Sequence, residues 1–393
     1  MAEHPRTLQG RRNFIGLAAA AGVALVLAGC QVVPRERPAP PPPREEVPVP
    51  RPGLPEDETR NRVAVLVPQS GNNAGVGQSI ANAANLALLD TGGDKIRITV
   101  YDTAQPGGAA AAANAALADG NGLFLGPLLA DDVRAVAPLA RRAGVPVIAF
   151  SNDSSVAGNG VYLMGFTPEQ SINRVVSYAR SRGLERFGGL VPEGLYGRRA
   201  SQAMIQAVEA HGGRMVALQE FRRTPAAMRA AVQRLDAQGT YDAVLIADQA
   251  KNAAGVAAIV RTGPGKSARV LGTELWSTES GLASHASLRG SWFASASDTM
   301  FNQLRTRYRA RYNRVPYRLA SLGYDAVLLA VRAASDWRIG RPFPEKILTD
   351  PAGFVGVDGP FRFRPSGIAE RGLQVQEVGA SGLTVVSPAP RGF

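Results

Sequence analysis

The sequence predicts an α/β protein made of two tandem units, each a parallel sheet flanked by helices. Three observations carry this prediction. Apolar strand-like runs alternate with amphipathic helical stretches from Arg62 onward, the alternation starts afresh after Phe166, and the run Val145 to Phe150 ends abruptly in Ser151, Asn152, Asp153, Ser154 and Ser155. Repeated strand-helix alternation implies parallel strands joined by right-handed crossovers. A buried strand that ends in a polar rim is where such sheets place ligands, because the carboxyl ends of the strands open into a loop-lined crevice.

The first unit opens with strand Val63 to Val67 and the turn Pro68-Gln69-Ser70-Gly71. A helix is expected from about Gln78, since Ile80, Ala83, Ala84 and Ala87 recur at helical spacing. Strand Ile96 to Tyr101, an Ala-rich helix over Ala109 to Ala118, and strand Leu123 to Leu125 follow, the last ending in Gly126-Pro127-Leu128. A further helix carries Val133, Val136, Ala137 and Ala140, stops at Gly144 and feeds strand Val145 to Phe150.

The second unit repeats this grammar. Ile172, Val175, Val176 and Ala179 mark a helix ending at Gly183, and strand Phe187 to Val191 leads into a turn holding Tyr196. Helices over Arg198 to Ala210, Pro225 to Ala237 and Ala250 to Arg261 alternate with strands Arg214 to Glu220, Tyr241 to Ile246 and Arg269 to Gly272. Asp248 and Glu274 fall at predicted strand ends. The tail is mixed: strand Trp292 to Ala296, helices Phe301 to Asn313 and Arg318 to Ala334, and late strands at Phe361 to Phe363 and Leu373 to Val378. A helical return segment after two lobes implies that the chain crosses between them more than once, with a cleft in between.

The 393 residues suffice for two core-bearing lobes plus appendages. Arg6, Arg11 and Arg12 precede an apolar stretch from Phe14 to Leu27, too short and Ala-rich for a membrane span. It ends in Leu27-Ala28-Gly29-Cys30, with the chain's one cysteine. This resembles a bacterial lipobox, which implies cleavage before Cys30, acylation of its thiol and no disulfide in the mature chain. Arg11-Arg12 also resembles a twin-arginine signal, so the export pathway stays open. Gln31 follows the cysteine where an Asp would imply inner-membrane retention, and the expectation is therefore an outer-membrane anchor. From Gln31 to Asn61 the chain holds ten prolines and almost no large apolar residue. Such a segment favours extended polyproline II and reaches on the order of 90 Å.

Little here supports catalysis. Gly75-Val76-Gly77 has Ile80 where a dinucleotide fingerprint needs its third glycine, and Gly265-Lys266-Ser267 follows a helix where a phosphate loop would follow a strand. Histidine occurs only at His4, His211 and His285, without a nucleophile elbow or clustered metal ligands. No cofactor and no metal are expected. The carboxylates Asp131, Asp132, Asp153, Asp248 and Glu274 lie near predicted strand ends and are explained more simply as solvated or capping acids than by acid-base chemistry. The formal charge is +12. Arg305, Arg307, Arg309, Arg311, Arg314 and Arg318 crowd one helix and its exit. They form a solvated face or a basic docking patch for an acidic surface, and export argues against nucleic acid.

The segments VAVLVPQSG, LFLGPL, VPVIAFSND, VPEGLYG and VLGTEL occur in the order found in type I periplasmic binding proteins of the leucine/isoleucine/valine kind. The resemblance spans about Arg62 to Val386. It implies two α/β lobes, three crossovers and an interlobe cleft, with residues 1–29 a signal peptide and 30–61 the lipidated cysteine and tether. Residues 62–165 plus 297–366 would then form one lobe, and 166–296 plus 367–393 the other. Cleft residues by this reading are Ser70, Gly71, Gly126, Pro127, Leu128, Ser151, Asn152, Asp153, Tyr196, Asp248 and Glu274. Tyr196 and Glu274 match positions that pack on a ligand and pair with its ammonium group. Leu129 and Ala130, however, stand where amino-acid binders offer hydroxyls to the ligand carboxylate, and Asp153 would repel one.

Those departures, with Cys30, the tether and the phrase RAVAPLARRAGVPVIAF, are closer to lipoprotein activators of class A penicillin-binding proteins. That resemblance implies a non-catalytic lipoprotein in the periplasm, anchored in the outer membrane and docking on a peptidoglycan synthase. The alternative is the substrate-binding protein of an ABC transporter, holding an amino acid or related small polar ligand and delivering it to a permease.

Overall fold

The computed structural model describes residues 59–279 and 281–393. The expected signal peptide, the acylated Cys30 and the tether up to residue 58 lie outside the described residues. In chain order the first elements are β1 (Asn61–Val67), α1 (Ala74–Asp90), β2 (Ile96–Asp102), α2 (Gly108–Ala118), β3 (Leu123–Leu125), α3 (Ala130–Ala143), β4 (Val147–Ala149) and β5 (Val161–Leu163). They continue with α4 (Pro168–Ser181), β6 (Arg186–Pro192), α5 (Leu195–Ala210), β7 (Arg214–Phe221), α6 (Pro225–Asp236), β8 (Ala243–Ile246), α7 (Ala250–Val260), β9 (Arg269–Gly272) and β10 (Trp292–Ser295). The return segment holds α8 (Asp298–Tyr312), α9 (Ala320–Ala333), β11 (Phe354–Gly356), β12 (Gly359–Phe363) and β13 (Ala369–Arg371), and the chain ends in β14 (Gln374–Val378) and β15 (Leu383–Ser387).

Two larger sheets result. The first lobe carries a parallel sheet ordered β2-β1-β3-β4-β5. The second is ordered β15-β14-β10-β9-β8-β6-β7, parallel except where β14 and β15 run antiparallel at one edge. Local chemistry explains the elements. Helix α3 has Asp131 and Asp132 in its first turn, Arg141 and Arg142 in its last, and a left-handed Gly144 as its stop, so its charges complement the helix dipole at both ends. Helix α1 starts at Ala74, earlier than the apolar spacing predicts. It does so because Gly77 lets it close onto the preceding turn: a Cβ there would sit 1.8 Å from the Pro68 carbonyl oxygen.

The return segment belongs to the first lobe. Phe301, Leu304 and Tyr308 of α8 and Leu322, Val327 and Leu329 of α9 share a core with Val63, Val65, Leu123 and Leu125. The small antiparallel sheet β11-β12-β13 packs on the same core through Phe354, Phe361 and Phe363. Two sequence boundaries therefore move. Asn61 is the first residue of β1 and is buried, so it is not part of the tether. The third crossing falls after Arg371, not between residues 366 and 367, because β13 pairs with β12 through Phe361 and Arg371.

Buried arginines pin the crossings. The Arg371 guanidinium donates to the Met164 carbonyl at 2.5 Å and lies 4.6 Å above the Phe166 ring, so the first and third crossing strands are tied together. Arg318 donates to Asp358 at 2.6 Å and covers the Phe301 ring at 4.3 Å. Asp325 accepts from the Val357 amide at 2.6 Å, and burial, with Asp358 nearby, pushes its carboxyl up to about 7. Cation-π contacts of desolvated guanidinium groups are worth ~2 kcal/mol each.

Candidate functional site in the interlobe cleft

Both sheets turn the carboxyl ends of their parallel strands toward loops that hold the expected cleft residues. In the first lobe, Ser70 follows β1 and donates to Asp102 at 2.8 Å, while the Gln69 amide donates to the same carboxylate at 2.7 Å. Burial works against this charge, but the backbone donors of Gln69 and Ala104 prevail and hold Asp102 at about 2. Ser70 is thus committed within its own lobe, and Gly71 forms an exposed left-handed turn. Gly126 has φ 101 and a Cβ there would meet the Leu66 carbonyl oxygen at 2.1 Å, so the segment through Pro127 shapes the strand exit. Pro127 accepts from the Phe150 amide at 2.9 Å, and Leu128 packs against the core.

Asp153 is only 5% exposed. Ser151 Oγ accepts from its amide at 3.1 Å, and its carboxylate accepts from the Ser155 amide at 2.8 Å. Two arginines complete the shell: Arg134 from α3, at 2.8 Å, and Arg199 from α5 of the other lobe. Burial opposes ionisation, yet the Ser155 and Arg199 donors outweigh it and hold the carboxyl below its ordinary range. Next to it, Ser154 donates to Glu169 of α4 at 3.0 Å. The expected repulsive acid is therefore neutralised, and it ties one lobe to the other. Asn152 points outward and is exposed.

In the second lobe the structure brings Tyr196 and Glu274 together. The Tyr196 hydroxyl donates to Glu274 Oε1 at 3.0 Å and lies 2.9 Å from Thr273 Oγ1. Ser171 of α4 donates to Glu274 Oε2 at 2.5 Å. Glu274 has no cationic partner among the described residues. Burial dominates, and three hydroxyl and backbone donors only partly offset it, so its carboxyl is pushed up to about 7. Burial and the Glu274 charge likewise push the Tyr196 phenol well up. Asp248, fully buried at the end of β8, is held by Arg223 at 2.9 and 3.2 Å, and its carbonyl accepts the Trp276 indole N–H at 3.0 Å. It supports the loop that carries Glu274.

Glu274 borders a cavity of about 10 Å³ that also touches Phe166, Ser295, Ala296, Arg318 and Leu373, room for about one water. All three crossings line it, so any larger ligand enters only with a change of lobe angle. Sequence reasoning missed Ser171, although a serine among the buried α4 positions Pro168, Ser171, Ile172 and Val175 is a readable signal. It also missed Arg134 and Arg199, and it placed Arg318 in a basic surface cluster, whereas Arg318 turns inward onto Asp358 and the Phe301 ring. No group of three or more His, Cys, Asp or Glu side chains that could hold a metal occurs among the described residues. No described helix is long and apolar enough to cross a membrane.

Comparison with known proteins agrees with this architecture. A Rhodospirillum rubrum protein provisionally assigned as a branched-chain amino acid ABC transporter superposes with a TM-score of 0.72 at 19% identity, covering 83% of this chain and 100% of that one. The leucine binding protein LivK of Thermotoga maritima gives 0.61 at 20% identity over 84% and 98% of the two chains. A Rhodopseudomonas palustris solute binding protein of an ABC transporter, solved with 3,4-dihydroxybenzoic acid, gives 0.64 at 21% identity over 85% and 97%. The uncharacterised protein RP748 of Rickettsia prowazekii is 23% identical over 180 residues, 46% of this chain, and the chain spans 48% of that relative's length. The sequence pattern of the periplasmic binding proteins matches residues 61–382. The chain belongs to the periplasmic binding protein family.

Proposed function

We propose that the protein is a non-catalytic periplasmic receptor for a small polar ligand with a cationic or amine donor group, serving as the substrate-binding component of an ABC transporter. The observation that carries this reading is Glu274, a buried carboxyl that accepts from the Ser171 and Tyr196 hydroxyls without a counter-cation among the described residues. A ligand ammonium supplies the missing charge, and closure of the lobes around it removes water from the pair. The similarity to ABC transporter binding proteins supports the same reading. A thermal-shift screen of amines, amino acids and amides tests it, with an expected stabilisation of about 2.7 kcal/mol at a hundredfold excess over Kd. Absence of any shift across the panel would sink it.

A second reading, a docking module that activates a class A penicillin-binding protein, is favoured by two observations. The Asp153 latch already joins the lobes, and Leu129 and Ala130 offer no hydroxyl to a ligand carboxylate. In that reading Cys30 is acylated and holds the chain in the outer membrane. Direct binding to a purified synthase, with faster glycan polymerisation, is the expected result. Retention of a Cys30→Ser variant in the membrane fraction would remove the anchoring step.

A further inference from the structure

Helix α8 presents two grooves, one on each flank, that meet at Thr306. One flank is apolar: Met300, Leu328 and Val355 line a cavity of about 760 Å³. Val355 is 75% exposed and Met300 45%, a cost in hydration that an isolated surface would avoid. The other flank is basic, with Arg305 and Arg309 one helical turn apart along a second cavity of about 760 Å³. The side chains of Arg305, Arg309 and Arg314 are exposed and make no hydrogen bond or ion pair among the described residues. Arg307, on the same helix, shows the contrast: it is paired with Asp90 at 2.7 Å and lies against the Tyr324 ring.

We infer that the exposed ridge of α8 is a docking surface for an acidic, amphipathic polypeptide segment of a partner protein. Charge complementarity assigns the acids to Arg305 and Arg309, and the apolar recess assigns the partner's hydrophobic side chains to Met300, Leu328 and Val355. An anionic glycan offers nothing to the apolar flank. An anionic lipid surface would engage the arginines without filling the recess between Met300, Leu328 and Val355. Neither groove shares a lining residue with the Glu274 cavity, so the surface stays available whichever ligand the cleft holds.

Fluorescence anisotropy with the full chain tests this. The probes are a helical peptide with leucines on one face and glutamates on the other, its scrambled version, polyglutamate, and phosphatidylglycerol vesicles. The amphipathic peptide is expected to bind best, and added salt to weaken it. Affinity should fall about tenfold in the Arg305→Glu/Arg309→Glu double variant and return with lysine at both positions. Val355→Asn, which removes apolar surface without adding charge, should weaken the same peptide without moving its salt dependence. Unchanged melting temperatures establish that the variants fold; if Val355→Asn melts early, the arginine pair and its lysine rescue decide alone. Equal binding of the scrambled peptide or polyglutamate, affinity indifferent to the arginine pair, binding to vesicles alone, or no peptide binding would each overturn the inference.

Discussion

Asp153 and Glu274 are both buried carboxyls placed just after a parallel strand, one in each lobe, yet their surroundings drive them in opposite directions. Asp153 is held ionised by Arg134 and Arg199 together with Ser155. Glu274 has hydroxyl and backbone donors but no cation among the described residues, and burial raises it to about 7. The difference teaches that topological position does not decide what a rim carboxylate does; the nearest cation does. A carboxylate already paired across the lobes works as a fastener, and one left without a cation works as a receptor.

The sharpest way to break this comparison is to remove each charge in turn. Glu274→Gln should lower the affinity of a cationic ligand by about a hundredfold, an interaction of ~3 kcal/mol, without lowering the stability of the free protein; calorimetric titration reads the first and urea unfolding the second. Asp153→Asn should do the reverse, destabilising the fold by about 3 kcal/mol because Arg199 loses its buried partner, with ligand affinity in the same assay altered far less.

pH separates the two carboxyls next. Between the ordinary glutamate range and about 7, the folded chain holds a proton on Glu274 that the unfolded chain has released. Stability therefore declines with rising pH across that window, and the decline flattens in Glu274→Gln. Asp325 titrates in the same region, so the difference between the two curves isolates Glu274. Asp153, held low, contributes stability above the ordinary aspartate range and loses it as the pH falls through its folded value. Affinity for a cationic ligand should rise about tenfold from pH 6 to 8 as Glu274 ionises, measured by titration in matched buffers.

Smaller effects refine the picture. Ser171→Ala removes the 2.5 Å donor to Glu274; it should cost about 1 kcal/mol in denaturant melts and move the pH profile further up. Asn152→Ala, at an exposed position beside the latch, should change stability by no more than about 0.5 kcal/mol.

Much of this architecture was legible because secondary structure is written in short-range periodicity. The strand-helix alternation and the Gly144 stop of α3 follow from local pattern, and the family resemblance points to Tyr196 and Glu274 as ligand-facing positions, but not to their contact with each other across β8. The short strands β11, β13 and β15 were not legible, since runs such as Ala369–Arg371 carry no alternation of their own and form only because β12 offers a partner. Asp153 was read as a repulsive acid for the same reason. Its meaning depends on Arg199, which α5 delivers from the opposite lobe.

By itself the sequence determined the fold class, the doubling of the α/β unit and the strand ends where chemistry would gather. Hydrophobic spacing and turn residues act over a few positions, and no distant contact is needed to interpret them. Only the tertiary structure decided that Arg318 and Arg371 pin the crossings and that Asp153 fastens the lobes while Glu274 finds no cation among the described residues. Electrostatic character belongs to pairs of groups, and in this chain the partners come together only when the chain has crossed between lobes and returned.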